Sequence, residues 1–280
     1  MAEYPIDTTK DYVLVRRQEP ERKSVVSFGD LSLGGNTVVV MAGPCSVESY
    51  DQIREISESV KKSGAHVLRG GAYKPATYPY RFMGHREEGL RMLAAARDVT
   101  GLPVVTEVME PADVEVVAKY ADVVQVGMRN MQNYRLLAAL GSVGKPVLLK
   151  RGSWAKIDEW LGAAEYIAAA GNPNIILCER GIVSFEDHTR WTLSLSVVPR
   201  LKEVTHLPVI VDPSHGTGRR SLVPAMAKAA VAAGADGLMI EVHTDPDKSV
   251  SDAIQAIACD TFEVLMEELR AVAKAVGRSM

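Results

Sequence analysis

The sequence predicts an α/β protein of the (β/α)8 (TIM) barrel class. Three observations predict it: eight short apolar runs recur along 280 residues, helical stretches separate successive runs, and each run ends in charged or polar residues. A barrel strand is covered on both faces, so it reads as a β-branched run without alternation, and catalytic side chains gather where such strands finish. The first four runs are residues 38–42 before Gly43-Pro44-Cys45-Ser46, 65–68 before Arg69-Gly70-Gly71, 102–105 before Thr106-Glu107, and 123–126 before Gly127-Met128-Arg129-Asn130. The second four are 146–149 before Lys150-Arg151-Gly152, 174–178 before Glu179-Arg180-Gly181, 208–211 before Asp212-Pro213-Ser214-His215, and 237–240 before Glu241-Val242-His243.

Between the runs, helices are predicted over residues 51–63, 86–99, 111–120, 156–170 and 221–233, with a last one over 252–276. Ser49 is placed to cap the first, Glu110-Pro111 opens the third, and Gly64, Gly101, Gly171 and Gly234 stand where helices close. Residues 1–36 form a charge-rich arm, read as a short strand or hairpin that plugs the bottom of the barrel, and residues 37–280 form a single catalytic domain. The rival architecture, an open doubly wound sheet, calls for a Gly-x-Gly-x-x-Gly turn after the first strand, and none follows residues 38–42.

Hydrophobic residues make up 47% and charged residues 24%, which suits a globular core, and a net charge of -3 offers no general attraction to nucleic acid or an anionic membrane. Small-molecule substrates are therefore the expected partners. No run approaches the ~18 apolar residues of a membrane span, and the first residues lack the basic and apolar regions of a signal peptide, so a cytoplasmic location is expected. Cys45, Cys178 and Cys259 form no disulfide framework and no Cys-x-x-Cys pair.

Four candidate metal ligands stand at or just past strand ends: Cys45, His215, Glu241 and Asp252. One by one, each is more often a small buried thiol, a loop-capping imidazole or a solvated carboxylate. Together they mean more, because the first, seventh and eighth strands are neighbours in a closed barrel. Thiolate, imidazole and carboxylate donors in one set suit a borderline divalent cation such as Mn, Fe, Co or Zn. Arg69, Lys74, Arg129, Lys150, Arg151 and Arg180 cluster at the ends of the second, fourth, fifth and sixth runs. Long cations are usually solvated. A ring of them around one centre calls instead for a polyanion carrying phosphate and carboxylate.

Seven separated peptides then point to a family: residues 42–49 (AGPCSVES), 68–75 (LRGGAYKP), 127–133 (GMRNMQN), 149–152 (LKRG), 178–181 (CERG), 211–215 (VDPSH) and 240–243 (IEVH). In order and content they resemble the type I 3-deoxy-D-arabino-heptulosonate 7-phosphate (DAHP) synthases, in the microbial branch related to 3-deoxy-octulosonate 8-phosphate synthase. The resemblance runs from about residue 36 to 260.

It implies a metal-dependent transferase that joins phosphoenolpyruvate to an aldose phosphate, erythrose 4-phosphate by default. The products are DAHP and phosphate, at the head of the shikimate pathway to the aromatic amino acids. It implies further that Cys45, His215, Glu241 and Asp252 ligate the metal, with Mn2+ first and Fe2+, Co2+ or Zn2+ as alternatives. Arg69 and Lys74 would face phosphoenolpyruvate, and Arg129, Lys150 and Arg180 would hold its phosphate. Lys74, Cys45 and His215 would be the catalytic set. A homodimer or tetramer is implied as well.

The acceptor side departs from the pattern. Where the family reads Lys-Pro-Arg-Thr-Ser, this chain has Lys74-Pro75-Ala76-Thr77-Tyr78, and where it reads Gly-Ile-Arg-Thr-Phe-Glu, the chain has Gly181-Ile182-Val183-Ser184-Phe185-Glu186. Losing a charged donor to a phosphate forfeits roughly 1.5–3 kcal/mol unless another cation substitutes. Pro75, Thr77 and Arg81 are therefore the expected acceptor contacts, with Arg81 or Arg190 replacing the lost arginine. Two other readings remain: a paralogue that condenses phosphoenolpyruvate with a different aldehyde, and a catalytically silent regulatory barrel. The arm is too short for the regulatory domains of some family members, so feedback through an attached domain is not expected.

Overall fold

The computed structural model describes residues 12–75 and 78–280. An antiparallel hairpin of β1 (Val26–Phe28) and β2 (Leu31–Leu33) precedes the barrel. The parallel strands β3 (Val39–Gly43), β4 (Val67–Arg69), β5 (Val104–Val108), β6 (Val123–Val126), β7 (Val147–Lys150), β8 (Ile175–Glu179), β9 (Val209–Val211) and β10 (Gly237–His243) pair in that order. β10 pairs with both β9 and β3, which closes the barrel. The eight predicted runs are these eight strands, with ends that agree to within three residues.

The outer layer is α1 (Tyr50–Ser63), α2 (Glu87–Thr100), α3 (Val114–Tyr120), α4 (Tyr134–Ala139), α5 (Ile157–Ala169), α6 (Val197–Val204), α7 (Pro213–Thr217), α8 (Val223–Ala232) and α9 (Cys259–Ala275). Ser49 caps α1 by accepting from the Gln52 backbone N–H, and Gly64 and Gly101 end α1 and α2 in left-handed conformation. Three predicted helices change at their starts, the one over 221–233 because residues 220–222 form a 3-10 turn before α8. Residues 111–113 form one 3-10 turn before α3. The last helix does not begin at 252, because Asp252 takes a positive φ of 52° and β11 (Ile257–Ala258) first pairs with β10. α4, α6 and α7 carry too few turns for their apolar periodicity to stand out in the sequence. Among the described residues no helix is long and apolar enough to cross a membrane.

Strand alternation sorts the barrel interior into levels. Met41, Val67, Val105, Val123, Leu148, Ile176, Ile210 and Met239 form one apolar cluster with Val26, Phe28 and Leu33 of the hairpin, so the arm plugs the lower end as expected. Side chains two residues on share the same face. Above the apolar level, that rule puts Arg69, Glu107, Gln125, Lys150, Asp212 and Glu241 inside the barrel.

His206, in the turn from α6 to β9, fastens the arm. Its Nε2 donates to the Leu14 carbonyl at 2.7 Å, which leaves Nδ1 to accept from the Ser24 hydroxyl at 2.8 Å. Burial pushes its pKa below the usual 6.5, against the Leu14 bond, and burial does the same to His66. The unfolded chain takes up these protons near pH 6.5 while the native state resists, so stability is full above that pH and drains as pH falls through it. The urea midpoint is expected to be lower at pH 5.5 than at pH 7.5, with a smaller difference in His206→Gln. Equal midpoints at both pH values would refute the assignment.

Candidate active site

The site is assembled at the C-terminal ends of the strands, starting with a close approach of β3 to β4. Gly43, at φ 150°, lets the chain pass so near that an added Cβ would lie 2.1 Å from the Arg69 carbonyl. Cys45 follows and is buried. At the end of β9, Asp212 caps α7. Its Oδ1 accepts from the His215 backbone N–H at 2.9 Å, with Pro213 in the first helical position. Asp212 Oδ2 meets His215 Nδ1 at 2.8 Å and Lys150 Nζ at 2.7 Å. α7 is docked on β10 by a bond from the Glu241 N–H to Ser214 Oγ, 3.0 Å.

These contacts bring together all four predicted ligands. One donor atom each from Cys45, His215, Glu241 and Asp252 lies within 4.8 Å of the others. His215 Nε2 stands 3.3 Å from Glu241 Oε1 and 4.0 Å from Asp252 Oδ2, and the Cys45 thiol donates to Asp252 Oδ2 at 3.1 Å. The donor set fits a divalent cation. Burial lowers the pKa of His215 against the pull of Asp212 and Glu241; its Nδ1 is directed to Asp212 and its Nε2 faces the carboxylates. Burial and Glu241 push the Cys45 thiol up to about 12, so the sulfur becomes a thiolate ligand only with a cation beside it. Although burial opposes ionisation, His215 with Arg69 holds Glu241, and His215 with Lys74 holds Asp252, below the usual carboxylate range.

Above the quartet lies a cavity of about 310 Å³, lined among others by Lys74, Arg129, Lys150 and Arg180. Lys74 Nζ donates to Cys45 Sγ at 2.9 Å, placing this lysine between the quartet and the other cations. Arg180 Nη1 is buried without a hydrogen-bond partner, and burial pulls the guanidinium's pKa down. Its Cζ lies over the Trp191 ring, 5.2 Å from the centroid.

Two cations behave differently from their neighbours. Arg69 is not among the residues lining this cavity; it donates to Glu241 Oε1 and to the Pro44 carbonyl, both at 2.9 Å, beneath the rim. Arg151 turns away altogether, into Glu179 at 2.9 Å and the Ala155 carbonyl, because alternation along β7 sends consecutive side chains to opposite faces.

On the acceptor side, Pro75 and Arg81 line the cavity, while Thr77 and Ala76 lie outside the described residues. Val183, the second departure, is exposed and does not line the cavity. Arg190 does line it, but its Nη1 donates to Asp252 Oδ1 and Gln255 Oε1, both at 3.1 Å.

Three residues were not singled out by the sequence reading. Asp212 had a visible signal, since Asp-Pro-Ser-His is a helix-start pattern that puts its carboxylate over His215. Gln255, which donates to Glu241 Oε2 at 2.8 Å, had none. Glu107 lines the cavity, takes a bond from Gln125 at 2.9 Å, and keeps Oε1 buried without a partner. An added Cβ at Gly127 would lie 2.1 Å from that oxygen, so a larger residue there would displace the Glu107 carboxylate.

Comparison with known proteins agrees with this geometry. Residues 11–276 match the DAHP synthetase I family. The chain belongs to that family. It is similar to the phospho-2-dehydro-3-deoxyheptonate aldolase of Thermotoga maritima, with 48% identity over 96% of this chain and 79% of the relative. The crystal structure of that DAHP synthase superposes with a TM-score of 0.94 at 47% identity, covering 96% of this chain and 79% of the other. A truncated form of the Thermotoga maritima enzyme gives a TM-score of 0.90 at 45% identity over 96% and 99% of the two chains. A 2-dehydro-3-deoxyphosphooctonate aldolase of Bradyrhizobium is 32% identical over 90% of this chain and 94% of the relative. As a member of the DAHP synthetase I family, the chain is a metal-dependent transferase of the DAHP synthase type.

Asp212 holds the imidazole of the candidate quartet and neutralises a buried lysine at once. Asp212→Asn is expected to weaken divalent-metal affinity about 10–100-fold. It should also destabilise the fold by roughly 3–5 kcal/mol through the unpaired Lys150. Titration calorimetry with Mn2+ and urea unfolding check the two effects separately.

Proposed function

We propose that the rim of this barrel condenses phosphoenolpyruvate with erythrose 4-phosphate, giving DAHP and inorganic phosphate and opening the shikimate pathway to the aromatic amino acids. The observation that carries the reading is the Cys45, His215, Glu241 and Asp252 quartet beside a cavity lined by Lys74, Arg129, Lys150 and Arg180. The greater identity to the heptonate enzyme, 48% against 32% for the octonate enzyme, favours the four-carbon acceptor.

Arg129, Lys150 and Arg180 hold the phosphate of phosphoenolpyruvate and stabilise its charge as it leaves. Lys74 faces the carboxylate and the reacting carbons. Arg69 acts from below: through Glu241 it braces the quartet and adds positive potential under the substrate. C3 of the enol forms the new bond to the aldehyde carbon, whose oxygen takes a proton. Water adds at C2, and the C2–O bond to phosphate breaks to leave the 2-keto product. A divalent cation held by the quartet supplies Lewis acidity, either at the aldehyde or at the attacking water. Manganese is the proposed ion, with iron, cobalt or zinc as alternatives, since thiolate, imidazole and carboxylate together suit this borderline group. Pro75, Thr77 and Arg81 are the proposed acceptor contacts.

Three free cysteines, one of them a proposed ligand, suit a reducing compartment, so the cytoplasm is the proposed location. A homodimer or tetramer is the proposed assembly. Tyr80 and Phe185 support it, standing 97% and 96% exposed on two mouth loops of the single chain.

Incubated with Mn2+, phosphoenolpyruvate and a panel of aldehydes, the protein is expected to release phosphate with erythrose 4-phosphate, and Cys45→Ser to lose that turnover while keeping its fold. Release with another aldehyde alone would replace the proposed acceptor, and no release with any would revive the silent barrel. Ala76→Arg restores the family's cation and is expected to lower KM for erythrose 4-phosphate about tenfold, read from initial rates. An unchanged or raised KM would show that the pocket is built for something else.

A further inference from the structure

The sequence offers Arg190 as a substitute for the lost acceptor arginine, yet its side chain is engaged on the side of the quartet. Its backbone N–H is bound to the Thr217 carbonyl at 2.9 Å, two residues past His215. Gly218 makes room for it: at φ 65°, an added Cβ there would lie 2.4 Å from that of Arg190. One nitrogen of its side chain spans Asp252 Oδ1 and Gln255 Oε1, and Gln255 in turn holds Glu241 Oε2 at 2.8 Å. One guanidinium thus reaches two of the four ligand carboxylates, one directly and one through an amide.

Asp252 needs such support. It is a non-glycine residue at φ 52°, a conformation that persists only where surrounding contacts over-determine it. The next residue after Arg190 is Trp191, whose ring lies 5.2 Å from the Arg180 guanidinium on the phosphate side. Residues 190 and 191 therefore form one continuous connection between the quartet and Arg180.

The geometry points to Arg190 as a positioning residue that fixes Asp252 and Glu241 for the metal and ties metal occupancy to the loop after β8, which carries the cover over Arg180. This rests on the quartet's being a metal site. If so, metal binding orders the loop, and the loop strengthens metal binding, because coupling between two sites is reciprocal.

Mn2+ affinity, measured by competition with a chelating dye, and hydrogen exchange of residues 182–195 with and without Mn2+ test the coupling in the wild type, Arg190→Lys and Arg190→Gln. The wild type is expected to bind Mn2+ and to gain protection in that segment. Arg190→Gln should bind about tenfold more weakly or worse and lose the metal-dependent gain, with Arg190→Lys recovering part of both. Thermal melts identify a variant that fails to fold, in which case Arg190→Lys, with its charge but no planar fork, carries the comparison. If the wild type binds no Mn2+, the metal reading itself falls. If it binds and both variants match it within twofold with equal protection, only the role of Arg190 is overturned.

Discussion

A carboxylate shut off from water, that of Asp212, is the constraint around which the upper end of this barrel is arranged. Burying a charge is costly unless partners replace its hydration, and here the partners are the functional groups themselves: the ring and backbone of His215 and the ammonium of Lys150. His215 and Lys150 hold the Asp212 carboxyl well below the usual range in spite of its burial, so it stays ionised and keeps both of them in place. The imidazole of the candidate metal quartet and Lys150 at the cavity wall are thus oriented by a single anion.

The remaining buried charges follow the same logic. Arg69 is matched by Glu241, and Arg151 by Glu179, all four being nearly inaccessible to solvent. Such pairs add little net stability compared with well-packed apolar residues. Their value is geometric, because a charge that cannot reach water has one favourable position. The apolar level beneath, sealed by Val26, Phe28 and Leu33 of the arm, supplies the folding free energy that lets the upper level be so polar.

Seen this way, the division between an intact phosphoenolpyruvate side and a changed acceptor side has a structural meaning. Cys45, His215, Glu241, Arg129, Lys150 and Arg180 stand in or just after a strand or in α7, where the ladder limits what can move. Lys74 and Asp252 stand farther out, and the departures at positions 76 and 183 fall with them on the connections between strands. Loops of this kind change sequence without disturbing the barrel, which is how one scaffold serves relatives as different as heptonate and octonate synthases.

The sequence by itself determined the barrel, its eight strands and the four side chains that come together as the candidate metal quartet. Unbroken β-branched runs, and ligand-type residues directly after them, are local patterns that need no knowledge of contacts. It also determined that Lys74, Arg129, Lys150 and Arg180 share a rim. Only the tertiary structure decided what each charge faces. Period-two alternation turns Arg151 away from its neighbour Lys150, and Arg69 is drawn under the rim by Glu241, 172 positions along the chain. Arg190 met Asp252 and Gln255 for the same reason: closure of the barrel juxtaposes loops that sequence distance keeps apart, and a side chain's partner is set by that closure.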